Sequence, residues 1–66
     1  MKKSELPEGI NGWVLRGITY KKGGKAATFN EENGTFSVGI YIPAGAKLFE
    51  GKVDNPEEVK DILSRY

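Results

Sequence analysis

Polar and apolar residues alternate with a period of two through the middle of the chain. The clearest run is Thr35-Phe36-Ser37-Val38-Gly39-Ile40-Tyr41-Ile42, the pattern of a strand with one buried and one wet face. Asn33-Gly34 stands just before it and predicts a type I′ hairpin turn, since both residues tolerate φ > 0. Pro43-Ala44-Gly45-Ala46 follows and predicts another turn, centred on Ala44-Gly45. Upstream, Gly12 to Lys22 is rich in Trp, Val, Ile, Thr and Tyr and reads as one strand, ended by a Gly23-Gly24 turn. Ala26 to Asn30 and Lys47 to Val53 supply the remaining strands. The prediction is therefore a four-stranded antiparallel meander over residues 12–53.

These turns set registers that can be compared. Gly23-Gly24 places Tyr20 opposite Ala27, Ile18 opposite Phe29 and Arg16 opposite Glu31. Asn33-Gly34 places Phe29 opposite Val38 and Ala27 opposite Ile40. Ala44-Gly45 places Ile40 opposite Phe49, Val38 opposite Gly51 and Phe36 opposite Val53. Opposed residues share a side of the sheet, so all three turns agree on one apolar face. Its members are Val14, Ile18, Tyr20, Ala27, Phe29, Phe36, Val38, Ile40, Phe49 and Val53.

A helix over 55–66 covers that face. Asn55 suits the N-cap, Pro56 the first helical position, and Glu58 the capping-box spacing. Glu57, Glu58 and Asp61 lie toward the positive end of the helix dipole and Arg65 toward the negative end. Val59, Ile62, Leu63 and Tyr66 form one apolar stripe, and a helix this short needs a sheet to dock on. Gly51 is expected to let the helix approach closely. Residues 1–11, polar apart from Met1, Leu6 and Ile10, read as an extended arm. The fold class is α+β, ββββα, in one small domain.

Composition narrows the chemistry. The 66 residues contain neither Cys nor His. Thiolate and imidazole ligands are absent, and so is the usual general base, so no nucleophile has an evident activator. No enzyme activity, cofactor or metal is expected. No apolar run approaches the ~20 residues of a membrane span. Met1-Lys2-Lys3-Ser4-Glu5 lacks the apolar stretch of a signal peptide, which predicts a soluble, cytoplasmic protein. Ten Lys and Arg against nine Asp and Glu leave +1, too little for a general grip on nucleic acid.

The face away from the helix is the candidate surface. The registers give it Trp13, Leu15, Thr19, Lys21, Ala26, Thr28, Asn30, Thr35, Ser37, Gly39, Tyr41, Leu48, Glu50 and Lys52, with Tyr41 opposite Leu48. Apolar anchors among hydroxyls and amines suit a partner. The plainer alternative is that residues 1–11 fold across and bury Trp13 and Leu15 under Leu6 and Ile10. Lys21, Lys22 and Lys25 cluster at the Gly23-Gly24 turn, where they could meet phosphates or simply keep a hairpin tip solvated. Gly23-Gly24-Lys25 is no phosphate loop, because Ala26 stands where Ser or Thr is needed.

Phe49-Glu50-Gly51-Lys52-Val53-Asp54-Asn55-Pro56-Glu57-Glu58-Val59 resembles the last strand and helix start of three-stranded-sheet DNA-binding domains. These are the plant ethylene-response-factor type and the arm-binding domains of some phage integrases. Phe36 to Ile42 is similar to their middle strand. The resemblance implies that the sheet face opposite the helix enters the major groove and reads DNA with Arg and Trp. On the predicted registers this face holds Trp13, Lys21 and Lys52 but no Arg.

Two functions follow. The first is a small non-catalytic protein-interaction module, an adaptor or inhibitor, with Trp13, Leu15, Tyr41 and Leu48 as its dry centre and Thr19 and Ser37 among its hydroxyl rim. The alternative is a DNA-binding module in which Lys21, Lys22, Lys25 and Lys52 meet phosphates. Near-neutral charge favours the protein partner, and the resemblance favours duplex DNA. A monomer or an edge-paired dimer fits either.

Overall fold

The computed structural model describes residues 1–41 and 44–66. Five antiparallel strands run in chain order across one sheet: β1 (Val14–Arg16), β2 (Thr19–Lys22), β3 (Lys25–Asn30), β4 (Thr35–Tyr41) and β5 (Ala44–Lys52). Helix α1 (Pro56–Arg65) follows. The α+β meander with a C-terminal helix is as predicted, but it has five strands rather than four.

The fifth strand arises because Gly12 to Lys22 is not one strand. Gly17 takes φ +67° and, with Ile18, closes a tight hairpin in which Arg16 pairs with Thr19 and Leu15 with Tyr20. Glycine at the first central position is what a type II′ turn requires. The hairpin reverses the side-chain parity of everything before it. Trp13 and Leu15, expected outside, join the side of Tyr20. Val14 and Ile18, expected in the core, are 51% and 39% exposed. Arg16 does not face Glu31, whose carboxylate instead accepts the Lys3 backbone N–H at 2.7 Å.

The Gly23-Gly24 hairpin has the predicted register, with Tyr20 opposite Ala27. The next turn does not. Gly34 is left-handed at φ +71°, but Asn33 is not, so the type I′ turn never forms. A four-residue loop, Glu31 to Gly34, joins β3 to β4 instead. Asn33 Oδ1 accepts the Thr35 backbone N–H at 3.1 Å, and the Gly34 N–H donates to the Asn30 carbonyl at 2.8 Å. Phe29 therefore pairs with Phe36 and Ala27 with Val38, replacing Phe29–Val38 and Ala27–Ile40. The slip is an even number of residues, so every side chain keeps its face.

The β4–β5 pairing departs in the same way. Phe36 pairs with Gly51 and Val38 with Phe49, and the register then shifts twice, between Val38 and Gly39 and between Ile40 and Tyr41. Ala44 and Gly45, expected as a turn, belong to β5, while Ile42 and Pro43 lie outside the described residues. The first shift leaves Leu48 as a bulged residue and turns it against the core. Tyr41 pairs with Ala44, not Leu48.

One core lies between sheet and helix. Tyr20, Ala27, Phe29, Phe36, Val38 and Val53 meet Val59, Ile62 and Leu63 of α1, with Trp13 and Leu6 completing the cluster. Asn55 caps α1 as predicted, its Oδ1 accepting the Glu58 N–H at 3.1 Å, while Glu58 Oε1 accepts the Asp54 N–H at 3.0 Å. The space beside Gly51 is filled by the Phe49 ring, to which a Cβ would come within 3.2 Å, and not by the helix. The N-terminal arm, with a 3-10 turn over Lys3–Glu5, packs on the helix side. There the Pro7 carbonyl accepts the Tyr20 hydroxyl and Asn11 Nδ2 donates to Ser64 Oγ at 2.9 Å. No described helix or arm residue of the core cluster lies on the outer face of the sheet. No described helix is long and apolar enough to cross a membrane.

Candidate nucleic-acid interface

Strand pairing assembles the outer face in three ranks. Val14, Lys21, Ala26, Gly39 and Lys47 form one, and Arg16, Thr19, Thr28, Ser37 and Glu50 the next. Asn30, Thr35 and Lys52 form the third. Small residues occupy the middle of the sheet and charges its two margins. Arg16 and Lys21 lie on one margin; Lys47, Glu50 and Lys52 lie on the other. Four strand spacings separate β1 from β5 and three separate β2 from β5, or about 19 and 14 Å at 4.8 Å each. Between the margins, on β3, β4 and β5, is a shallow concavity of about 300 Å³ lined by Thr28, Ser37, Gly39, Tyr41, Ala46 and Lys47 among others.

Charge is segregated between the two sides of the molecule. The outer ranks carry four cations (Arg16, Lys21, Lys47, Lys52) and one carboxylate (Glu50), a net +3. The segment from Asp54 to Arg65 carries four carboxylates (Asp54, Glu57, Glu58, Asp61) and two cations (Lys60, Arg65), a net −2. All residues outside the outer ranks together carry six cations and eight carboxylates, also a net −2, so the overall +1 is the sum of a basic outer face and an acidic remainder. Lys47 is 2.9 Å from Glu50, whereas Arg16, Lys21 and Lys52 have no ion pair among the described residues.

The expected site residues divide accordingly. Thr19, Lys21, Ser37, Tyr41 and Lys52 are on the outer face. Tyr41 is 42% exposed, and its hydroxyl donates to the Gly23 carbonyl at 3.0 Å. Trp13 is buried, with its indole N–H donating to the Leu63 carbonyl at 3.0 Å. Leu15 and Leu48 pack against the core. Lys25 reaches the other way: its ammonium donates to the Tyr66 carbonyl, where a cation complements the negative end of the helix dipole. Lys22 sits over the Trp13 ring, 5.9 Å from its centroid, and is likewise on the core side.

Sequence reasoning missed Arg16 and Lys47. The signal for Arg16 was Gly17, since an isolated glycine inside an apparent strand marks a break. Lys47 is brought outward by a bulge that no residue type announces. Among the described residues no group of three or more His, Cys, Asp or Glu is placed to hold a metal. No protein-family model matches the chain, and neither a curated protein nor a solved structure matches it.

Proposed function

We propose that the chain is a non-catalytic DNA-binding module whose outer sheet face enters the major groove of a duplex. The observation that carries this reading is the pair of basic margins on either side of a small, hydroxyl-bearing centre. A major groove is about 12 Å wide and bordered by phosphates. Margins about 14 to 19 Å apart suit contact with both phosphate rows, while Thr19, Thr28 and Ser37 face the bases between them. Arg16 supplies the arginine that the resemblance to sheet-face DNA binders calls for. The only aromatic side chain in this part of the face is Tyr41 at one end, so a stacking platform for single strands is lacking among the described residues.

The protein-partner reading loses its support here. Three of its four anchors, Trp13, Leu15 and Leu48, are turned to the core, leaving Tyr41 alone. Amide shift mapping during titration with a short duplex tests the proposal. Perturbations should concentrate at Arg16, Thr19, Lys21, Thr28, Ser37 and Lys52. Perturbations centred on α1, or none at low salt, would overturn it.

A further inference from the structure

Strand β5 ends the sheet, so one of its edges pairs with no described strand. In a regular strand, residues three apart point to opposite faces. Lys47 and Glu50 nevertheless form an ion pair at 2.9 Å. They can do so because the bulge at Leu48 puts an extra residue between Lys47, opposite Gly39, and Phe49, opposite Val38. Both charges are thereby returned to the outer face, and both Leu48 and Phe49 pack on the core side. Read by face, Lys47-Leu48-Phe49-Glu50 is cation out, apolar in, apolar in, anion out. Run antiparallel, that segment is its own complement.

We infer that the free edge of β5 pairs with the same edge of a second copy of this chain, about a two-fold axis between Leu48 and Phe49. In this register Lys47 of each copy stands opposite Glu50 of the other, Leu48 opposite Phe49, and Ala46 opposite Gly51. Every pair then shares a face, since Ala46 and Gly51 lie opposite Ile40 and Phe36 of the core side. Without the bulge, an axis between adjacent residues would set outer side chains against core ones. With it the side chains match, and because the two-fold is perpendicular to the sheet, both helices lie on one side and the two outer faces join into one surface. The contact is isologous, so the Lys47–Glu50 attraction occurs twice. Strand β1, the other edge, offers no such match. It has three residues, and an axis through Leu15 would oppose Val14 to Arg16.

Sedimentation equilibrium at low salt, from micromolar to millimolar protein and without nucleic acid, tests this independently of the DNA reading. Lys47 and Glu50 are both largely exposed, so their substitution leaves the fold intact. The wild-type chain should show a monomer–dimer equilibrium. Lys47→Glu and Glu50→Lys should each weaken the dimer by about tenfold or more, as two attractions become two like-charge contacts. The double exchange K47E/E50K should restore it. A monomer throughout, a dimer indifferent to both single reversals, or a double exchange that fails to restore dimerisation would each overturn the inference.

Discussion

On the helix side of the sheet Tyr20, Ala27, Phe29, Phe36 and Val38 are wholly out of water. Of their chain neighbours on the other side, Thr19, Ala26, Thr28, Thr35, Ser37 and Gly39 have no side chain larger than threonine, with Lys21 and Asn30 the larger exceptions. The two faces share a backbone and differ in what holds them in place. The inner face is fixed by burial, roughly 25 cal/mol for each Å² of apolar surface removed from water. The outer face makes little contribution of that kind, so its side chains can be chosen for a partner. Stability and binding should therefore separate cleanly by face.

Core truncation should give the largest effects. Phe36→Ala and Leu63→Ala should each cost about 2–5 kcal/mol by chemical denaturation, enough to unfold a domain of this size. Trp13→Ala belongs with them: it empties a large buried site and leaves the Leu63 carbonyl without its indole donor. A Trp13→Ala variant that melts like wild type would place Trp13 back on the outer face and break the contrast.

Tyr20 gives a smaller effect that depends on pH. Burial first, and then the charge of Glu8, push its phenol up to about 12. The unfolded chain ionises near the ordinary value of about 10, so the unfolded state loses its proton first. The contribution is fully present below about pH 10 and disappears as pH rises through about 12. Tyr20→Phe should flatten that alkaline decline, and an unchanged pH profile would argue that the phenol is solvated.

The smallest effects should come from the outer face. Thr28→Ala and Ser37→Ala should move stability by no more than about 0.5 kcal/mol, the range for surface changes. A loss of several times that amount would mean that something covers this face.

How much was legible in the sequence follows from the same contrast. Period-two alternation identified the inner face through Tyr20, Ala27, Phe29, Phe36, Val38 and Val53, and the cap and stripe identified α1. The pairing partners at β3–β4 were two residues off because Asn33 can adopt φ > 0 but does not. That error was harmless to the faces, since an even slip preserves them. The error at Gly17 was not, because an added hairpin reverses parity. It exchanged Trp13 and Leu15 for Val14 and Arg16 on the outer face. The bulge at Leu48 was equally invisible, since bulges follow from twist and pairing across strands rather than from any one residue.

The most direct test of the account is the salt dependence of duplex binding. Neutralising Z phosphates gives a slope of log K against log salt of about −0.9Z. With Arg16, Lys21 and Lys52 engaged, and Lys47 partly held by Glu50, the slope should be about −3. Arg16→Ala, Lys21→Ala and Lys52→Ala should each make it shallower by about one, while Lys60→Ala on the helix should leave it unchanged. A slope near zero, or one that Lys60→Ala reduces as much as Arg16→Ala does, would contradict a basic outer face as the binding surface.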